Sequence, residues 1–319
     1  MSDAIAYLNG QYVRLSEATL PVWDYGVVQA ATVTDMVRTF AGEPFRLEQH
    51  LRRFAASRAA LGITLTESGL RLEKVIREVL SRNRGLIPSG GDCGIVFFAT
   101  PGAYLGYTGF AGQVMEDVPA EQSGHFPGTR PTLCVHPFTL AFSRFHQGYE
   151  DGIALAIPKI HQIAATSLPP GIKYRSRLHW YLAEREVREV DRAAAALLLD
   201  DHGCVTETNS GNLFIVRDGL ILTPRADTTL AGVSQEFVME LARAAGLSVS
   251  RADLTRDYVL AADEVFLSST TYCLMPVTRL DLLPIGDGRP GPVFRQLLAN
   301  WSEAVGIDLR AQARQMSQM

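Results

Sequence analysis

Cysteine is scarce in this chain. Its four copies, Cys93, Cys134, Cys204 and Cys273, are scattered, and no two have the C-x-x-C spacing of a zinc-ligand pair or a redox couple. Neither a disulfide framework nor a metal site is expected. Long apolar runs are missing as well. The longest are of the order of "AAAALLL", Ala193 to Leu199, against the roughly 20 residues that a membrane-spanning helix takes. The opening "MSDAIAYLNG" has no basic start followed by an apolar core, so no secretory leader is expected and the cytoplasm is the default location. No basic block stands out and the net charge is −4, which points away from a nucleic-acid partner.

What is present is ordinary globular material: 319 residues, 47% hydrophobic and 20% charged, enough for one large domain or two smaller ones. "YLNGQYV", Tyr7 to Val13, reads as a hairpin around Asn9-Gly10. Leu47, Leu51, Phe54 and Ala55 mark one helix, which Gly62 closes. Leu72, Val75, Ile76, Val79 and Leu80 mark a second. "GIVFFAT" (Gly94 to Thr100) and "TLCVHPF" (Thr132 to Phe138) read as strands. Between Phe110 and Arg130 the Gly, Pro and acidic content predicts a long excursion. A second irregular piece, "TLAFSRFHQGYEDG", reads as an interdomain connection. Beyond it come short strands and hairpins, then two helices, Gln235 to Ala245 and Pro292 to Ala304. The class is α+β in two parts: residues 1–138, a loop over 139–151, and residues 152–319.

Four segments carry candidate chemistry. In "LPPGIKYRSRLHW", Pro169, Pro170 and Gly171 punctuate the chain, and helical spacing follows through Leu178, Tyr181, Leu182 and Val187. Lys173 is thereby expected at the entry to a helix, whose positive end disfavours a charged amine. By position alone it reads as an ordinary surface lysine. Glu207, in "GCVTETNSGNLFIV", stands where one strand gives way to another and reads singly as a turn or edge charge. In "TLAGVSQEFVMEL", Gly232 and Ser234 precede a helix. They read as an N-cap or as an anion site. The hydroxyl run Ser268 to Thr271 reads as a turn or as a phosphate cradle. Taken together, a lysine nucleophile, a carboxylate and two phosphate-binding ends are what pyridoxal phosphate needs.

At this point the sequence resembles the class IV aminotransferases, the fold-type IV pyridoxal-phosphate enzymes that include D-amino-acid transaminase, branched-chain aminotransferase and aminodeoxychorismate lyase. The resemblance runs from "AYLNGQYV" to about "LMPVTRLD". It is carried by the Asp-x-Gly entry "WDYG", the His-x-x-Arg helix in "EQHLRRF", "GIKYRSR", "VTETNSGNLFIV", "LAGVSQEFV" and "FLSSTTYCLMPV", in that order. It implies a small N-terminal α/β domain and a larger C-terminal domain with a β-barrel-like core. It also implies a homodimer acting on small-molecule amino donors and keto acids. Lys173 would carry the Schiff base, and Glu207 would pair with the pyridine nitrogen. Arg53, Val233, Ser234 and Thr270 would hold the phosphate, and Leu230 would lie against the ring.

The departures fall on the substrate pocket. "AATVTD" places Thr34 and Asp35 where relatives have an aromatic and a glutamate. Gly106 and Thr108 stand where D-amino-acid transaminases have an Arg-x-His carboxylate trap, and Leu178 where branched-chain enzymes have a tyrosine. Thr34 and Thr271 are candidate pocket residues. Arg38, Arg144 and Arg177 read singly as surface or interface arginines and are candidates for a relocated trap. Arg177, four residues past Lys173, is expected to share its helix face. The leading reading is a transaminase. The alternatives are a lyase of the same family and a non-catalytic homologue that keeps the fold.

Overall fold

The computed structural model describes residues 3–67, 69–108 and 129–318. The expected excursion between Phe110 and Arg130 thus falls almost wholly outside the described residues. The chain divides into two compact units. The first is Met1–Leu140 with Ile172–Ser176, and the second is Ala141–Gly171 with Arg177–Met319.

The first unit contains β1 (Ile5–Leu8), β2 (Gln11–Arg14), α1 (Tyr25–Val28), β3 (Val33–Phe40), β4 (Glu43–Pro44), α2 (Leu47–Ala60), α3 (Gly69–Asn83), β5 (Cys93–Thr100) and β6 (Thr132–Thr139). The expected hairpin forms, with Leu8 opposite Gln11. Asn9 and Gly10 both take positive φ, as a tight two-residue turn requires. The strands make an antiparallel sheet in the order β2-β1-β6-β5-β3-β4. One face buries Val33, Val37, Ile95, Phe97, Leu133 and Val135 against Phe54 of α2 and Leu72, Ile76 and Val79 of α3. The two helices predicted from hydrophobic spacing are the two that cover it. The other face groups Val96, Phe98 and Cys134 with Met36 and Phe138.

The second unit continues with α4 (Phe142–Asp151), β7 (Ile153–Ala156), α5 (Leu178–Val190), β8 (Ala194–Leu199), β9 (Val205–Thr208), β10 (Asn212–Arg217), β11 (Leu220–Thr223) and α6 (Val233–Ala244). Then follow β12 (Ser248–Arg251), α7 (Arg256–Leu260), β13 (Glu264–Ser269), β14 (Cys273–Leu280), β15 (Leu283–Pro284), α8 (Pro292–Val305) and α9 (Leu309–Met316). Strands β10, β13, β14, β7, β8 and β9 pair in that order, and β9 pairs back onto β10. The ring is a six-stranded barrel, the barrel-like core that was expected, and the pair that closes it is Asn212 with Glu207. Trp180, Ala183 and Val187 of α5 pack on Ala154, Ala156, Ala194, Ala196 and Leu198 at the barrel wall.

Two readings are corrected here. Residues 142–151 are helix α4, not a loop. Phe142, Phe145 and Tyr149 bury one side at helical spacing, a pattern that the intervening polar residues and Gly148 hide in the sequence. Helix α9 was not foreseen, because its buried residues are only Leu309, Gln312 and Ala313.

Helix α8 has an unusual start. Its cap, Gly291, offers no side chain. Buried Glu264 of β13 instead accepts from the N–H groups of Val293 and Phe294, both at 2.9 Å. Glu264→Ala strands one buried and one half-buried donor and removes a charge that complements the helix dipole. The expected loss is about 2–4 kcal/mol, read as a lower urea midpoint with unchanged slope.

Candidate functional site

Lys173 does not enter a helix. Helix α5 begins at Leu178, and residues 172–176 are extended along the free edge of β3. Tyr174 bridges antiparallel to Val33. The N–H of Thr34 donates to the Lys173 carbonyl at 2.9 Å, and the N–H of Arg175 donates to Thr32 at 2.8 Å. The Lys173 N–H donates to Ser57 Oγ on α2 at 3.0 Å, and Ser176 Oγ donates to the Ala30 carbonyl at 2.7 Å. The edge of β3 offered unpaired backbone groups, and those groups decided the local structure over helical spacing. The helix-dipole argument for Lys173 therefore falls, and so does the shared helix face with Arg177.

Behind this strand stands a charged cluster. Asp35 on β3 is fully buried. Arg53 of α2 grips its carboxylate with Nε on Oδ2 and Nη2 on Oδ1, each at 2.8 Å. His50 Nδ1 lies 2.8 Å from Oδ1. The His-x-x-Arg spacing puts both partners on one side of a helical turn. Burial opposes the Asp35 charge, but Arg53 and then His50 outweigh it, and the carboxyl is held well below the usual carboxylate range. Burial dominates at His50 and lowers its pKa against the pull of Asp35, with Lys173 among the nearby charges adding to the lowering. His50 is neutral at physiological pH. Sequence reading picked out Arg53 but missed Asp35 and His50 as its partners. The available signal was that a carboxylate had been kept at position 35, one methylene shorter.

In the second unit Glu207 stands at the barrel closure. Its Oε2 accepts from the Leu230 N–H at 3.2 Å and from Asn212 Nδ2 at 3.3 Å. Asn212 Nδ2 also donates to the Leu230 carbonyl at 3.0 Å. Asn212 thus ties the carboxylate to the turn that leads into α6. The same turn needs glycine next: a Cβ at Gly232 would come within 2.1 Å of Asn212 Oδ1. Gly232 caps α6 without a side-chain hydrogen bond, so the first turn, with Val233 and buried Ser234, has backbone N–H groups that its own cap residue does not engage. An anion is favoured there. The N-cap reading of Ser234 is corrected, since it sits inside the helix. Ser268 Oγ, on the β13 residue paired with Asn212, is buried without a hydrogen-bond partner. Thr270 and Thr271 follow in the half-buried turn between β13 and β14, with Ser269 Oγ 3.4 Å from Thr271 Oγ1. An uncapped helix start, a row of hydroxyls and a fixed carboxylate fit a phosphate ester that also carries a protonated ring nitrogen.

The remaining candidates are dispersed. Thr34 lies on β3 and donates to the Phe97 carbonyl at 3.1 Å. Arg38, also on β3, is buried, with its guanidinium 4.2 Å from the Phe40 ring centre. Arg177 Nη1 donates to the Asn209 carbonyl at 2.6 Å. Arg144 is exposed on α4, in a depression shared with Glu184, Arg188 and Arg192. Among the described residues no group of three or more His, Cys, Asp or Glu could hold a metal ion, and no helix is long and apolar enough to cross a membrane.

The sequence model of the family Amino-transferase class IV matches residues 32–280. The chain is 26% identical over 291 residues to a D-alanine aminotransferase of Bacillus licheniformis, covering 91% of this chain and 93% of that protein. It is 27% identical over 294 residues to a D-alanine aminotransferase of Staphylococcus aureus, with 91% and 94% covered. Among solved structures it is similar to a branched-chain amino acid aminotransferase of T.th. complexed with N-(5'-phosphopyridoxyl)-L-glutamate. The TM-score is 0.79 and the identity 27%, over 96% of this chain and 95% of that one.

Proposed function

The chain belongs to the class IV amino-transferases, enzymes of fold type IV that use pyridoxal phosphate, and we propose that it uses this cofactor to move an amino group between an amino acid or amine and a 2-keto acid. The observation that carries the proposal is the Glu207–Asn212–Leu230 clamp beside the uncapped start of α6. When bound, pyridoxal phosphate supplies an electron-withdrawing ring that acidifies the substrate α-carbon.

The chain's own residues divide the remaining work. Lys173 would hold the cofactor through its side-chain amine and would serve as the base that moves a proton. Its backbone is pinned on both sides, so the side chain starts from a fixed root. Glu207 holds a negative charge against the ring nitrogen. Leu230 supplies apolar contact to the ring. Val233 and Ser234, with Thr270, receive the phosphate, and Arg53 adds charge that its grip on Asp35 keeps oriented. Thr34, Thr271, Arg38, Arg144 and Arg177 remain the pocket candidates. A homodimer in the cytoplasm is part of the same proposal. A lyase would share this cofactor site, so the test must separate the two.

The protein as purified, mixed with single D- and L-amino acids and chiral amines, is expected to lose its visible cofactor absorbance while releasing one equivalent of keto product. A 2-keto acid then restores the absorbance. A lyase would release product without that reversible loss, and failure to cycle with any donor removes the transaminase reading. Glu207→Gln keeps the shape and the contact to Leu230 but loses the charge. It is expected to retain the fold and to slow this cycle about a hundred-fold or more, the scale of one preorganised charged partner. An unchanged rate would take Glu207 out of the mechanism.

A further inference from the structure

Three arginines of the second unit converge on one concave surface. Arg144 lies in the first turn of α4, between Phe142 and Phe145, whose buried rings fix the helix in place. Arg188 lies in the last turn of α5, next to buried Val187, and Arg192 lies in the link from α5 to β8. The three line an open depression of about 670 Å³. Ala193 to Ala195, where β8 begins, line it too, and their methyl groups leave the space unfilled.

The charges there do not cancel. The carboxylate in the lining, Glu184, is buried and already engaged. Its Oε1 accepts from the Ala196 N–H at 3.3 Å and its Oε2 from Arg188 Nη2 at 3.4 Å. Asp191, close by in sequence, is taken up by Arg279 at 2.7 Å and by the Ala193 N–H at 3.0 Å. Arg188 is thus partly answered. Arg144 and Arg192 are exposed and make no hydrogen bond or ion pair among the described residues. Three guanidinium groups against one carboxylate leave an excess of positive charge in the depression, on a chain whose net charge is −4. Like charges gathered on a concave surface raise the local potential, and a bound anion lowers it.

Size and flanks narrow the class of anion. The volume is that of a small-molecule site. A neighbouring depression that shares Arg188 and Arg192 adds Arg185 but also Glu189, so the excess does not continue as a stripe for a nucleic-acid backbone. None of Glu207, Asn212, Leu230, Ser234 and Thr270 is in the lining, which separates the depression from the residues assigned to the cofactor. Arginine forks pair with carboxylates and phosphates alike.

We infer that Arg144, Arg188 and Arg192 form an anion site apart from the cofactor site, one that takes a small polyvalent oxyanion, a phosphate ester or a polycarboxylate. The test uses borohydride-reduced holoenzyme, whose cofactor site stays filled, so that added anions report on other places. Pyrophosphate and citrate are titrated calorimetrically into the wild type, Arg144→Gln, Arg192→Gln, the double variant and Arg295→Gln. Arg295 is exposed on α8 and reports the loss of one positive charge elsewhere in the same unit.

Arg144→Gln and Arg192→Gln are each expected to weaken the tighter-binding anion about three- to ten-fold, between the worth of an exposed ion pair and that of a charged hydrogen bond. The double variant multiplies the two losses. Arg192→Lys, with charge but no fork, recovers part of its share. Arg295→Gln leaves the affinity nearly unchanged, and added salt weakens binding to the wild type. Tighter binding of pyrophosphate identifies the phosphate source, and of citrate the polycarboxylate source. No saturable binding of either anion by the wild type, full affinity in both single variants, or an equal loss in Arg295→Gln would each overturn the site.

Discussion

Lys173→Ala is expected to purify folded, with no cofactor held covalently and with transamination reduced by at least the 10²–10⁴-fold that a positioned proton-transfer group contributes. The fold should survive because the hydrogen bonds of residues 172–176 to Thr32, Thr34 and Ser57 are made by backbone atoms that alanine keeps. The chain has three lysines, Lys74, Lys159 and Lys173, so the assignment can be read directly. Borohydride reduction of the wild-type holoenzyme, digestion and peptide mass mapping should place the cofactor on the peptide containing Lys173. A label on Lys74 or Lys159, or a Lys173→Ala protein that still fixes cofactor, would overturn it.

The second large effect is on stability. Asp35→Ala leaves half-buried Arg53 without its bidentate partner and buried His50 without its acceptor. Breaking a buried ion pair from one side costs about 3–5 kcal/mol, a large share of the ~5–15 kcal/mol that holds a typical domain folded. The same cluster gives the wild-type protein a directional response to acid. His50 has a folded pKa below 6.5. As pH falls through 6.5 the unfolded chain takes up a proton that the folded chain refuses, and stability declines from there down to the folded value. Asp35 follows lower down. Its folded pKa is depressed, so its contribution is complete above 3.8 and erodes as pH drops below that. His50→Gln is expected to reduce the upper part of this decline, to which His136 and His179, also lowered by burial, contribute as well, and to leave the lower part. Denaturant titrations at pH 7.5, 5.5 and 3.5 check both. A wild-type midpoint that does not move between pH 7.5 and 5.5 would count against the neutral, buried His50.

Local pattern was the legible part of this fold. Helices α2 and α3 showed in the spacing of Leu47, Phe54, Leu72 and Ile76, and the first hairpin in Asn9-Gly10. The motif order carried the family. What was hidden depends on partners distant in sequence. Lys173 was placed at a helix entry because Leu178 to Val187 are helical, and nothing near it says that the edge of β3, some 140 residues earlier, would take the preceding five residues as a strand. Asp35 looked like a lost glutamate until Arg53 and His50 were seen around it. Glu207 looked like an edge charge because barrel closure onto Asn212 is a property of six strands together.

The route of the chain has a consequence for how the protein is made. Residues 1–140 leave the ribosome without the strand that completes their own unit, because Ile172–Ser176 arrive only after Ala141–Gly171 of the other unit have been synthesised. At about 5–20 residues per second, the edge of β3 waits for several seconds with its backbone groups uncovered. The nascent N-terminal unit is an incomplete sheet during that interval, and a fragment ending at Leu140 would stay so. Adding a synthetic peptide covering residues 168–177 to such a fragment would show whether that strand is what the sheet was waiting for.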